Sequence, residues 1–145
     1  MPAETTDGPD LHSMTEKLAT GANFASVATV LPSGRIQNQM IWVHAQDGKI
    51  VLNTESHRVK HHNITRDPRV TVLIRDEADP YRYAEVRGRV TDTTTGQQAR
   101  AHVDRLAQKY TGQDYPPEAI KSERVIWWIT PERQTVVDQT NGVAD

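Results

Sequence analysis

The sequence contains no cysteine. Disulfides, thiol nucleophiles and cysteine-ligated zinc or iron–sulfur centres are therefore excluded. Apolar residues are scarce too, at 36%, and adding the 8 glycines does not close the gap to the roughly 45–50% of an ordinary soluble domain. A core built from so little must be economical, or shared with a second copy of the chain. The longest apolar run, Val125 to Ile129, is five residues, far short of the ~20 needed to span a bilayer. Met1 to Asp10 is acidic and lacks an apolar stretch, unlike a secretory leader, so a soluble cytoplasmic protein is expected. There is no G-x-G-x-x-G stretch after a strand, no P-loop and no G-x-S-x-G elbow, so the commonest nucleotide-binding and hydrolase signatures are missing. Charge of one sign is also lacking: Lys plus Arg is 17, Asp plus Glu is 19, and the net is −2. That balance argues against a surface built as a whole for nucleic acid.

What is present fits one domain of 145 residues, since chains of this size form a single core. Residues 1–12 are expected as a disordered lead-in, 13–139 as the domain and 140–145 as a loose tail. Ser13-Met14-Thr15-Glu16 has capping-box spacing and predicts a short helix to Gly21. Strands are predicted over Asn23–Leu31, Arg35–His44 and Lys49–Thr54, separated by the turns Pro32-Ser33-Gly34 and Gln46-Asp47-Gly48. A helix over Ser56–Arg66 is stopped by Asp67-Pro68, because the residue before proline avoids helical torsions. Arg69–Asp76 and Tyr83–Thr91 read as further strands, the second with Ala84, Val86, Gly88 and Val90 on one face. A helix to about Tyr110 aligns Ala99, Val103, Leu106, Ala107 and Tyr110 on one stripe. Ser122–Thr130 is a strand, Pro131 interrupts, and Gln134–Asp138 is a candidate seventh. Many strands joined by tight turns, with few helices, predict a mainly β protein with a small antiparallel barrel rather than a doubly wound sheet.

Chemistry concentrates between Ser56 and Arg75, where five Lys/Arg face one acid, for a local charge of +4 and −6 elsewhere. With Ser56 as cap, Arg58 and Lys60 fall in the first turn of a helix, the end where cations are disfavoured and Asp or Glu is usual. Two cations there make sense when free N–H groups, a guanidinium and an ammonium converge on a phosphate or carboxylate. The competing reading is a basic surface helix without a partner. A nucleic-acid contact is the less apt alternative, since no aromatic interleaves the cations. His57 and His61 stand at i, i+4, but no third ligand suggests itself and no metal is assigned. Gln37-Asn38-Gln39 places three amides in a row on a strand, so at least one points inward, toward a heterocycle's polar edge or toward water at the barrel rim. Trp127 and Trp128 must face opposite sides; one fills the barrel, and the other needs cover from a helix or a second subunit.

These segments, with R-x-K-x-x-N-x-x-x-D-P-R at Arg58–Arg69, Phe24–Thr29, Gly34–Val43 and Pro80–Val90, resemble the split β-barrel flavin and deazaflavin oxidoreductases of the pyridoxamine-phosphate-oxidase-like superfamily, and most closely their small F420-dependent members. The resemblance covers residues 14–138. It implies a homodimer with cofactor sites at the subunit interface and hydride transfer between coenzyme F420 and an unsaturated small organic substrate. FMN, or a non-catalytic ligand-binding role, is the alternative on the same fold. It implies that Arg58 and Lys60 bind the cofactor phosphate, that Asn53 and Thr54 sit beside them, and that Gln37, Asn38 and Gln39 lie against the ring. Asn63 matches a helix-facing polar residue, and Tyr81 or Tyr83 comes from the loop and strand after Pro80, across the dimer. A chain without catalytic triads suits such chemistry, because the cofactor supplies the reactivity and the protein orients it. His44 and Tyr83 are the candidates for a proton donor.

Overall fold

The computed structural model describes residues 3–139. Eight strands and three helices follow in the order β1 (Ala3–Asp7), α1 (Ser13–Thr20), β2 (Phe24–Val30), β3 (Ile36–Trp42), β4 (His44–Gln46), β5 (Lys49–Glu55), α2 (Val59–Arg66), β6 (Arg69–Arg75), β7 (Arg82–Thr94), α3 (Gln97–Thr111) and β8 (Arg124–Asp138). All pairings are antiparallel, along the path β3-β2-β6-β7-β8-β5-β4, with β1 added to β8. The two ends of this path, β3 and β4, are consecutive in the chain and separated only by Val43. The sheet therefore curls until one continuous stretch of backbone belongs to both of its edges. The fold is a split antiparallel β-barrel.

The hinge at Val43 leaves its peptide outside both ladders, and α3 satisfies it. Val43 N–H donates to the Tyr110 hydroxyl (3.1 Å), and the Val43 carbonyl accepts from the Lys109 ammonium (2.6 Å). Val27, Ile50, Leu52, Val72, Val86 and Trp127 fill the barrel, all fully buried. Alternation along β7 is as expected: Ala84, Val86 and Gly88 are buried, while Arg87 and Arg89 are exposed. A Cβ on Gly88 would lie 2.4 Å from the Thr130 carbonyl oxygen, so only glycine lets β8 pass there.

Several expectations are corrected. The lead-in contains β1, which pairs from Ala3↔Val137 to Asp7↔Arg133; a long β8 offers it a free edge. The 140–145 tail lies outside the described residues. Helix α1 is capped by His12, whose Nδ1 accepts from Met14 N–H at 3.0 Å, rather than by the Ser13 box. Pro131 does not interrupt the last strand. It sits opposite Gly88 at a register shift, a bulge that tolerates the missing donor, and β8 runs through as 15 residues. Helix α2 starts at Val59, because Ser56 N–H extends the β5 ladder to Glu123 O and a turn must intervene. Trp128 is covered by α3 of its own chain: it packs on Val51, Ala99 and Ile126 and donates Nε1–H to Thr94 Oγ1.

Candidate functional site

A cleft of about 350 Å³ opens between the end of β5, the start of α2 and the apolar face of α3. Trp42 and Tyr115 wall it, meeting edge to face at 6.1 Å, and Tyr110 stacks on Trp42 at 5.1 Å from behind. Met40, Ile41, Val103 and Leu106 add apolar surface. One end is cationic: Arg58, Lys60 and Arg124 all line it.

The balance of charge at that end is set by a single carboxylate. Glu55 is fully buried, accepts backbone N–H bonds from Lys121 (2.5 Å) and Ser122 (2.9 Å), and lies 3.5 Å from both Arg58 and Arg124. Burial pushes its pKa up, but those N–H groups and guanidinium charges outweigh it, and the net shift is downward. Three cations thus share one anion. Arg124, whose guanidinium lies 5.0 Å from the Tyr115 ring centre, is fixed by donating Nε–H to Asn53 Oδ1 at 2.8 Å. Lys60 is only 8% exposed, and its ammonium finds nothing better than the Gln39 amide oxygen at 3.3 Å. Burial, then the Arg58 and Arg124 charges, hold its pKa below the usual lysine range, with only Glu55 opposing. An anion entering the cleft would relieve that frustration.

Helix α2 begins at Arg58 as a cap without a side-chain bond, and no acid occupies its first turn. Lys60 is therefore in the first turn, whereas Arg58 stands at its threshold and is partly engaged by Glu55. Asn53, Thr54, Arg58 and Lys60 converge on the cleft, and Gln39 reaches it through Lys60. Gln37 and Asn63 do not: Asn63 Nδ2 donates to Thr29 Oγ1 (3.0 Å) and Gln37 Oε1 (3.2 Å), which ties α2 to the sheet. Asn38 is exposed on the opposite face of β3. Tyr81 and Tyr83 do not line the cleft, and His44 lines a separate cavity. His57 precedes α2 and contacts Ser122 Oγ at 2.6 Å, while His61 Nδ1 accepts from Trp127 Nε1–H at 3.0 Å, so the two do not share a helical face. Among the described residues no three metal-ligating side chains cluster.

Sequence reasoning missed Arg124 and Tyr115. Arg124 becomes legible only through register, which sets it opposite Glu55.

Residues 12–138 match the pyridoxamine 5'-phosphate oxidase family. The chain belongs to that family. Among solved structures, an F420 reductase is 30% identical, superposes with a TM-score of 0.75, and aligns over 86% of this family member and 98% of its own chain. A conserved hypothetical protein of Mycobacterium tuberculosis is 22% identical at a TM-score of 0.68, over 97% and 92% of the two chains. HupZ of Group A Streptococcus, 16% identical at a TM-score of 0.59 over 82% and 89%, shares the fold. No curated protein matches. Within this oxidase family the fold carries flavin- and deazaflavin-type oxidoreductases, and no helix among the described residues is long and apolar enough to cross a membrane.

Proposed function

We propose that this protein is an F420-dependent oxidoreductase that passes hydride between the reduced deazaflavin and an unsaturated small organic acceptor. The observation that carries this reading is the buried Lys60 ammonium, which bonds only to an amide and shares the single Glu55 carboxylate with two like charges at the mouth of an aromatic-walled cleft. A phosphate-bearing cofactor with a flat ring fits that donor set. Lys60, Arg58 and Arg124 would hold its phosphate, with Asn53 and Thr54 beside them and Gln39, bonded to Lys60, on the strand nearest the ring. Bound deazaflavin supplies hydride. The chain supplies binding, orientation and a dry wall, which is the protein's share in cofactor chemistry. The product's proton is assigned to solvent. The 30% identity to an F420 reductase supports the deazaflavin over a flavin.

The reading includes a homodimer. Phe24, Met40 and Leu73 are exposed together on the outer face of β2, β3 and β6, around a hollow of about 230 Å³. Such an apolar face on a small chain is best covered by a second copy, and two-fold pairing is the commonest way to do it. Tyr81, exposed and away from its own cleft, is available to a partner's.

Titrating the purified protein separately with F420 and FMN, followed by fluorescence, tests the cofactor. Tighter F420 binding and oxidation of reduced F420 by a panel of enones and quinones support the proposal. Preferential FMN binding replaces the cofactor, and binding without turnover leaves a carrier. Light scattering after size exclusion reads the dimer.

A further inference from the structure

A second cavity, of about 220 Å³, lies between α3 and β4, lined by His44, Gln46, His102, Arg105, Leu106 and Lys109. Its key feature is a donor with nothing to donate to. His102 is 3% exposed, and its Nε2 has no hydrogen-bond partner among the described residues.

The protonation of that nitrogen follows from its neighbours. Arg124 Nε–H donates to Asn53 Oδ1, which fixes the amide's orientation. Asn53 Nδ2 then points its two hydrogens at the Ala99 carbonyl (3.0 Å) and at His102 Nδ1 (2.9 Å). His102 Nδ1 is therefore an acceptor. In a neutral imidazole the proton must sit on the other nitrogen, so Nε2–H is a buried, unsatisfied donor. Burial, and the neighbouring Arg105 charge after it, keep the ring neutral. Orphaned buried donors are rare and cost roughly 1–3 kcal/mol. The Val43 peptide, by contrast, has both of its groups satisfied by α3.

The rest of the wall says what belongs there. Lys109 is saturated, with its three ammonium hydrogens directed at the Ala19, Thr20 and Val43 carbonyls. Arg105 is exposed and makes no hydrogen bond or ion pair within the described chain. The Arg105 guanidinium and the His102 N–H, beside the apolar Leu106 and with the His44 and Gln46 side chains on the same wall, suit a small anion with two acceptor oxygens and a short hydrocarbon body. The volume corresponds to roughly seven waters, which sets the size.

We propose that this cavity binds a small aliphatic monocarboxylate, with one oxygen accepting from His102 Nε2–H and the other from the Arg105 guanidinium. The site is separate from the cofactor cleft but joined to it by the bonded chain His102–Asn53–Arg124, so its occupant sits two residues from a cation of the cleft.

Sodium acetate and sodium butyrate, titrated into the imidazole-15N-labelled full chain and matched with sodium chloride for ionic strength, are the test. The free protein should show His102 as the Nε2–H tautomer. Its 15Nε2 signal should shift saturably with either carboxylate and not with chloride. Arg105→Ala, a surface change that spares the core, should weaken binding at least about fivefold, and Lys60→Ala should leave it unchanged. The Nδ1–H tautomer, a shift that chloride reproduces or that does not saturate, or an affinity indifferent to Arg105→Ala would each overturn the proposal.

Discussion

Replacing Lys60 with methionine nearly preserves the side chain's volume and deletes its charge, so it separates binding from folding. In the free protein the ammonium is buried, repelled by Arg58 and Arg124, and bonded only to Gln39. Removing it takes away a desolvated charge without orphaning a buried partner, because Gln39 is exposed and can turn to water. Thermal stability should therefore hold or rise. Phosphate binding should fall. A charge-assisted contact contributes about 1.5–3 kcal/mol net. Relief of the Arg58 and Arg124 repulsion returns part of this, which leaves roughly a ten- to hundredfold loss of affinity. The assay is a fluorescence titration with the cofactor beside a thermal melt of the same sample. Affinity within about twofold of the parent, or a lowered melting point with affinity unchanged, would refute the idea that Lys60 is held in frustration for an anion. Because burial lowers its pKa and a bound anion raises it, binding to the parent should take up protons at alkaline pH. Titration calorimetry in buffers of different ionisation enthalpy reads this, and Lys60→Met should abolish it.

Other perturbations give separate tests. His102, held down to about 4 by burial, binds fewer protons folded than unfolded between that value and 6.5. Its contribution is complete above the unfolded value and is lost as pH falls through the folded one. Urea unfolding from pH 7 to 4 should lose about 3 kcal/mol on its account, and His102→Gln should flatten the slope; equal slopes would count against it. Gly88→Ala drives a Cβ into the Thr130 carbonyl and should cost about 2 kcal/mol or more in denaturant melts. Trp127→Phe removes the indole bond to His61 and leaves a void in the barrel, and should cost about 1–3 kcal/mol in the same assay.

The barrel was legible because its strands are short, alternate cleanly and are punctuated by turns. The helix boundaries were less so. Ser56 and Ser13 are good caps in isolation, but the β5 ladder claims one and His12, fastened to Gln134, displaces the other. Arg58 and Lys60 were legible as cations at an unusual place. Arg124 was not, since a lone arginine before an apolar run reads as a solvated strand end until pairing sets it against Glu55. His102 lies on the helical stripe formed by Ala99, Val103 and Leu106, yet a polar residue there looks like a breach of pattern rather than a tether. The second tryptophan illustrates a limit of alternation: it tells that both faces are occupied, but not by whose atoms.

The length and position of β8 bear on how the chain reaches its native state. This strand pairs with β1, β5 and β7, which flank it along different parts of its length. It is also the last element in chain order among the described residues. While a ribosome is still extending the polypeptide, β3, β2, β6 and β7 can pair with one another but nothing joins them to β5 and β4, and β5 and β7 display open backbone edges. Folding must wait for the distal segment and proceed through distant pairings, a regime that is slow and prone to intermolecular strand addition. Shielding of nascent chains, more than thermodynamic robustness of the finished barrel, should then limit the yield of this protein in cells.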